Sequence, residues 1–176
     1  MLPSRILIVV TATVLALAMV AGCNAAAPRG GSNLEAASTP EALGPVGESL
    51  KVRVNRDRDV LGLPALVASQ ALDEAARLRA EDMLIRGYLG AIGPGEESVA
   101  AQELMAVAGY SGQLGELVYE HPGPLSMLTE STVGAWMASE AHRKLLLDTR
   151  FRFLGAGLAG ESEEWIVVML FAEEGP

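Results

Sequence analysis

The sequence predicts an α+β domain in which helices pack against a small, mainly antiparallel sheet that finishes in a C-terminal hairpin. Three observations carry this. Apolar residues recur at three- and four-residue steps through much of the stretch from Leu50 to Leu147. Two apolar runs, Phe153 to Ala159 and Trp165 to Ala172, then close the chain around a polar turn at Gly160 to Glu164. Residues 24–48, by contrast, show no apolar period.

Taken in order, Leu50 to Leu61 is the first predicted helix, with Leu50, Val54 and Leu61 on one side and Gly62 and Pro64 to stop it. Ser69 to Arg86 is the second. Leu72, Ala75, Ala76, Ala80 and Met83 form its apolar stripe, Asp73, Glu74, Arg77, Glu81 and Asp82 its polar face, and Gly87 its end. Acidic residues in its first turns and Arg86 near its close complement the helix dipole. Tyr88 to Glu97 reads as a glycine-rich loop. Ser98 to Ala108 is a third helix, capped by Ser98 and closed by Gly109. Gly115 to Tyr119 is a short strand and His121-Pro122-Gly123-Pro124 a turn. Ser126 to Met137 and the shorter Ala141 to Leu147 complete the helices. Trp136 and Trp165 sit in apolar-periodic segments and read as core anchors, as do the dispersed Met83, Met105, Met127, Met137 and Met169. Glu161, Glu163 and Glu164 read as a solvated hairpin tip.

The N-terminal segment is of another kind. Met1 to Gly22 holds one charge, Arg5, followed by an apolar run from Ile6 to Val20. At about 15 residues the run suits the hydrophobic region of a signal peptide and falls short of the roughly 20 that span a bilayer as a helix. Val20-Ala21-Gly22-Cys23 resembles the lipobox of bacterial lipoproteins: a branched apolar residue, two small residues that fit a peptidase groove, then Cys. That resemblance implies cleavage between Gly22 and Cys23 and acylation of Cys23, the chain's one cysteine. Two or more acyl chains such as palmitate, at about 0.8 kcal/mol per buried CH₂, hold firmly where one is marginal. The expected organisation is therefore residues 1–22 as signal peptide, 23–48 as lipidated Cys and flexible tether, and 49–174 as the folded domain. The expected location is the cell membrane or outer membrane, lipid-anchored and facing outside the cytoplasm; Asn24 is not the Asp associated with inner-membrane retention.

Charge narrows the partners. The whole chain carries a formal −9, and losing Arg5 with the leader makes the remainder one unit more negative. Such a surface offers no basic stripe for counterion release, so nucleic acid is excluded as a partner. It also repels anionic headgroups, which leaves membrane attachment to the anchor. Nothing in the sequence signals oligomerisation, and a monomer is expected.

Several pieces, in this order, resemble the bacterial branch of the cysteine-rich secretory protein, antigen 5 and pathogenesis-related 1 family (the CAP or SCP-like domain). Asn55, Arg58 and Gly62-Leu63-Pro64-Ala65-Leu66 look like its opening elements. Leu72, Ala75, Ala76 and Met83 match its next block, and Gly109-Tyr110 and Gly115-Glu116 its Gly-Tyr and Gly-Glu-Asn steps. Trp136, Ser139, His142 and Arg143, followed by Leu146, look like its Trp-x-x-Ser-x-x-His-Arg signature, and Leu154-Gly155-Ala156-Gly157 and Trp165 to Phe171 its final hairpin. The resemblance covers about residues 50 to 172. It implies an α-β-α sandwich with a central cleft, in which many members hold a divalent metal with two His and acidic residues. By position Glu116 and His142 belong to that cleft, Ala91 stands where the first His is usual, and Leu117 replaces the Asn after the Glu.

A zinc site wants about three or four protein ligands, largely His and Cys. Glu116 and His142 alone leave a metal underligated, and His121, before Pro122, has no role in the family pattern; no metal or other cofactor is expected. Without metal, the pair reads either as general base His142 oriented by Glu116, or as a hydrogen bond tying strand to helix, which the residues favour. Ser139 lies one helical step from His142, but no Gly-x-Ser-x-Gly elbow surrounds it, and it reads as a helix cap. The expectation is a membrane-tethered binding or interaction module with a degenerate cleft around Ala91, Glu116, Ser139 and His142. Small apolar molecules or an envelope protein are its expected partners. The rival expectation is a cell-envelope hydrolase using Glu116 and His142.

Overall fold

The structure, a computed structural model, describes residues 40–90, 93 and 100–176. In chain order its elements are α1 (Pro40–Val60), β1 (Val67–Ala68), α2 (Gln70–Arg86), α3 (Ala101–Val107), β2 (Ser111–Pro122), α4 (Leu125–Ala138), α5 (Glu140–Leu146), β3 (Phe153–Glu161) and β4 (Glu164–Glu174). The sheet runs β1-β3-β4-β2. The two-residue β1 pairs parallel to β3, and the β3–β4 and β4–β2 pairs are antiparallel.

The sheet is covered on both faces, and its central strands show it. Every residue of β4 from Trp165 to Ala172 is buried, the continuous pattern of a strand packed above and below. Trp165, Val167, Met169 and Phe171 point to one side, where Leu50 and Val54 of α1, Leu128, Val133 and Trp136 of α4 and Leu146 of α5 complete a core. Ile166, Val168, Leu170 and Ala172 point to the other, against Leu72, Ala75, Ala76, Ala80 and Met83 of α2 and Met105 of α3. The result is the α-β-α sandwich that the family resemblance implies.

Two glycines set how closely α2 approaches. A Cβ on Gly155 would lie 2.3 Å from the carbonyl carbon of Leu72, and one on Gly157 would lie 2.1 Å from the backbone nitrogen of Arg77. The helix backbone therefore rests directly on β3, at a distance only glycine permits.

Several boundaries depart from the sequence reading. α1 begins at Pro40, so residues 40–48, expected in the tether, are helical. Glycine and proline read as breakers there, yet Leu43 and Leu50 are buried on the core and Val46 packs against it. Gly47 lets the helix come close to the Ala156 carbonyl oxygen, 3.2 Å from where a Cβ would be. The rest of the expected leader and tether, residues 1–39 with Gly22 and Cys23, lies outside the described residues. β2 is a twelve-residue strand rather than a five-residue one. His121 and Pro122 thus belong to β2, in register with Trp165 and Glu164, and His121 is buried rather than in a turn. The third helix starts at Ala101 behind an Ala100 N-cap that makes no side-chain bond; the expected cap Ser98 is outside the described residues. The hairpin turn shrinks to Ser162 and Glu163, both at positive φ, while Gly160 and Glu161 extend β3.

The glycine seat yields a contrast. Gly157→Ala is expected to destabilise the fold by about 3 kcal/mol, because the new methyl meets helix backbone that cannot step aside. Gly134, mid-helix in α4 with open space around it, is expected to gain about 0.5–1 kcal/mol on replacement by Ala. Urea unfolding of the two variants beside the unsubstituted chain measures both, and equal effects would contradict this packing.

Candidate functional site

Alternation along β2 decides what Glu116 meets. A Cβ on Gly115 would lie 2.9 Å from the Phe151 ring and 3.2 Å from Leu145 of α5, so Gly115 faces the side of the sheet carrying α5. Glu116, one residue on, faces the opposite side, toward α2. There its Oε1 accepts a hydrogen bond from Arg79 Nε at 2.8 Å. The Arg79 side chain is fully buried, and that of Glu116 is 11 % exposed.

Arg79 is the centre of a network. Its Nη1 donates to the Tyr88 hydroxyl and its Nη2 to the Gly90 carbonyl oxygen. The guanidinium also stands 5.4 Å from the centroid of the Tyr88 ring. Tyr88 in turn donates to Asp82 Oδ2, and the other Asp82 oxygen accepts from Arg86 Nε at 2.7 Å. Two carboxylates and two guanidiniums alternate through this cluster. Burial pushes the Glu116 carboxyl above its usual range, and the Arg79 hydrogen bond and charge pull the other way without cancelling it.

The expected Glu116–His142 tie is therefore not formed. His142 is exposed on α5, whose Leu145 and Leu146 pack on the face of the sheet opposite Glu116, and its ring makes no hydrogen bond with any described residue. Ser139 does occupy the N-cap position of α5, in extended backbone geometry, but its side chain makes no cap hydrogen bond. Its carbonyl accepts from Arg143 N instead, at 2.8 Å. Ala91 lies outside the described residues. His121, buried at the end of β2, places Nε2 3.3 Å from the Pro124 carbonyl oxygen.

These placements test the metal that the family resemblance implies. Glu116 already carries a cation, the guanidinium of Arg79, and His142 faces another way. Among the described residues no three His, Cys, Asp or Glu side chains group as metal ligands. The described residues do not fit the ion.

Sequence reasoning missed Arg79, although a signal was there. Leu72, Ala76, Arg79 and Met83 share one helical stripe, so Arg79 is a charge set among the apolar positions of α2. The motif residues Asn55 and Arg58 turn out to be pins. Asn55 exchanges hydrogen bonds with both backbone groups of Leu66, at 2.9 and 2.8 Å. Arg58, fully buried, donates to the carbonyls of Pro64, Leu146 and Asp148, tying α1 to the negative end of α5.

A recess appears elsewhere. A groove of about 610 Å³ opens between the first half of α1, the flank of α2 and the end of β3 from Ala156 to Glu161. Leu43, Leu84 and Leu158 give it apolar walls, and Glu48, Glu74 and Glu161 stand among its polar ones. At its base Lys51 bonds Glu48 and Asp73, each at 2.6 Å. Burial alone would lower the Lys51 pKa; bonds to Asp73 and Glu48 outweigh it and hold it above its usual value.

The layers, strand order and pins define an α-β-α sandwich of the SCP type. Residues 52–171 match the model of the cysteine-rich secretory protein (CAP) family, and the chain belongs to that family. It is 27 % identical over 128 residues to the protein YkwD of Bacillus subtilis, covering 73 % of this chain and 48 % of that one. The chain thus spans about half the length of this curated relative. An outer surface protein of Borrelia burgdorferi shares the fold with a TM-score of 0.63 at 17 % identity, over 75 % of this chain and 95 % of the other. An extracellular protein with an SCP domain from Bacillus anthracis also scores 0.63, at 21 % identity over 77 % and 44 % of the two chains.

Arg79→Met leaves Glu116 buried without its partner and is expected to cost about 3–5 kcal/mol. Arg79→Met combined with Glu116→Leu is expected to recover a sizeable part. Guanidinium unfolding of both variants and of the Glu116→Leu chain measures the coupling. Additive effects would show that the pair contributes nothing as a pair.

Proposed function

We propose that this chain is an extracytoplasmic, lipid-anchored binding module whose ligand surface is the groove beside β3. The observation that carries the reading is that Glu116 is committed to a buried guanidinium while an open, apolar-walled groove stands apart from it. The groove's volume falls within the range of about 300–1,000 Å³ common to ligand sites, and apolar walls with a few polar groups are their usual make-up. Its walls suit an acyl chain or the apolar side chains of an envelope protein. A hydrolase built on Glu116 and His142 finds no support, because the acid does not orient the imidazole.

Location rests on two supports. Val20 to Cys23 resembles a lipobox. The names of the Borrelia and Bacillus anthracis proteins place them at an outer surface and outside the cell.

One experiment joins site and anchor. The chain expressed in a bacterium fed radioactive palmitate is expected to take up covalent label that survives denaturing electrophoresis, and the Cys23→Ser chain to lose it. Native mass spectrometry of the purified chain is expected to show retained palmitate. Leu84→Asp, a change at a half-exposed groove residue, is expected to weaken that retention about tenfold, while His142→Ala leaves it unchanged. Undiminished labelling without Cys23 would remove the anchor. Retention unaffected by Leu84→Asp, or peptide or ester hydrolysis abolished by His142→Ala, would remove the module.

A further inference from the structure

The outer edge of β3 is only partly closed. Leu154 directs its carbonyl away from β4, accepting from Ser69 N at 2.9 Å. Ala156 directs its amide the same way, donating to Asp73 Oδ1 at 2.8 Å. Even-numbered backbone groups of β3 thus face outward. β1 pairs no further than Leu154, Asp73 takes the Ala156 amide, and Gly47 of α1 packs on the Ala156 carbonyl. Beyond that point the outward groups belong to Leu158 and Gly160, and no described residue hydrogen-bonds them. Both residues line the groove. An unpaired strand edge is a template for another strand.

The walls add selectivity. Leu43 on the α1 side and Leu84 on the α2 side offer apolar contacts to the two faces of an inserted strand, whose side chains alternate between them. The groove is lined by five carboxylates and two cations. Each cation is already held by two of those carboxylates: Lys51 by Glu48 and Asp73, Arg77 by Glu74 and Glu81. Glu161, exposed at the rim, is in surplus. The potential there favours a positive ligand.

We infer that the groove binds an extended polypeptide segment as an added strand on the free edge of β3, with a basic side chain of that segment meeting the acidic rim. This rests on the binding-module reading and names its ligand as protein. Leu158 and Gly160 supply the backbone pairing, the leucines hold alternate side chains, and Glu161 selects charge.

The test uses the full chain in detergent and an acetylated, amidated heptapeptide of alternating valine and lysine. Nuclear magnetic resonance tracks exchange of the Leu158 and Gly160 amides. Saturating peptide is expected to slow both about tenfold or more. Of two N-methylated peptides, one blocked at every valine and one at every lysine, at least one is expected to lose binding. A peptide with glutamate in place of lysine is expected to bind at least tenfold more weakly. Glu161→Lys, at an exposed hairpin position that leaves the core untouched, is expected to weaken the lysine peptide about fivefold at low salt. Unchanged amide exchange, or undiminished binding of both methylated peptides, overturns the inference. Palmitate retention lost in Leu84→Asp, with no peptide binding, overturns this inference and leaves the module standing. Neither ligand binding overturns both.

Discussion

The fold depends on a contact in which side chains take no part: the backbone of α2 lying on the backbone of β3. With no Cβ at Gly155 and Gly157 to hold it off, the helix sinks until Leu72, Ala76 and Arg77 main-chain atoms touch the strand. That depth sets where each later turn of the helix comes to rest. Leu72, Ala76 and Met83 bury against β4, and Arg79, on the same stripe, comes beneath Glu116 of β2. The other flank of α2 is left as a wall, facing α1 across the end of β3. One close approach therefore fills the cleft and shapes the groove.

A buried ion pair is an uncertain source of net stability, because removing two charges from water offsets much of their attraction. Its effect here is better described as commitment. A carboxylate that already accepts from a fixed guanidinium, which itself holds Tyr88 and the Gly90 carbonyl, has little capacity left for a metal ion or a catalytic imidazole. Other members of the family are expected to present that acid to the cleft with histidines around it. In this chain the cation is part of the polypeptide. The groove beside β3 is a different surface, with its own polar groups still open.

How much of the molecule is legible in the sequence depends on which interactions are local. The stripe of α2, its Gly87 terminus and the hairpin strands are readable because period and capping are local properties. Residues 40–48 read as tether because Gly44, Pro45 and Gly47 are poor helix formers; the tertiary contact of Leu43 with the core and the close pass of Gly47 on Ala156 override propensity. β2 looks short because Gly112, Gln113 and Glu120 carry no strand signal, whereas its length comes from pairing with β4 over the whole register. The family motifs pick out Asn55 and Arg58 without showing that they pin backbone carbonyls and amides, while apolar period alone marks Trp136 as a core residue. The motifs cannot show that Glu116 turns toward α2 while His142 rides on α5 across the sheet, since the direction of Glu116 depends on strand parity. The Arg79 signal is present but reads as one more helix charge.

The state of Glu116 distinguishes a cleft filled by the protein's own cation from one open to a metal. Carbon-13 resonance of its side-chain carboxyl, recorded through a pH titration with and without millimolar zinc, reports both its ionisation and its contacts. The structure predicts a midpoint above the ordinary carboxylate range and a resonance that zinc leaves in place at neutral pH. A zinc-dependent shift at Glu116 with a matching shift at the His142 ring would contradict it, showing that acid and imidazole share one site after all.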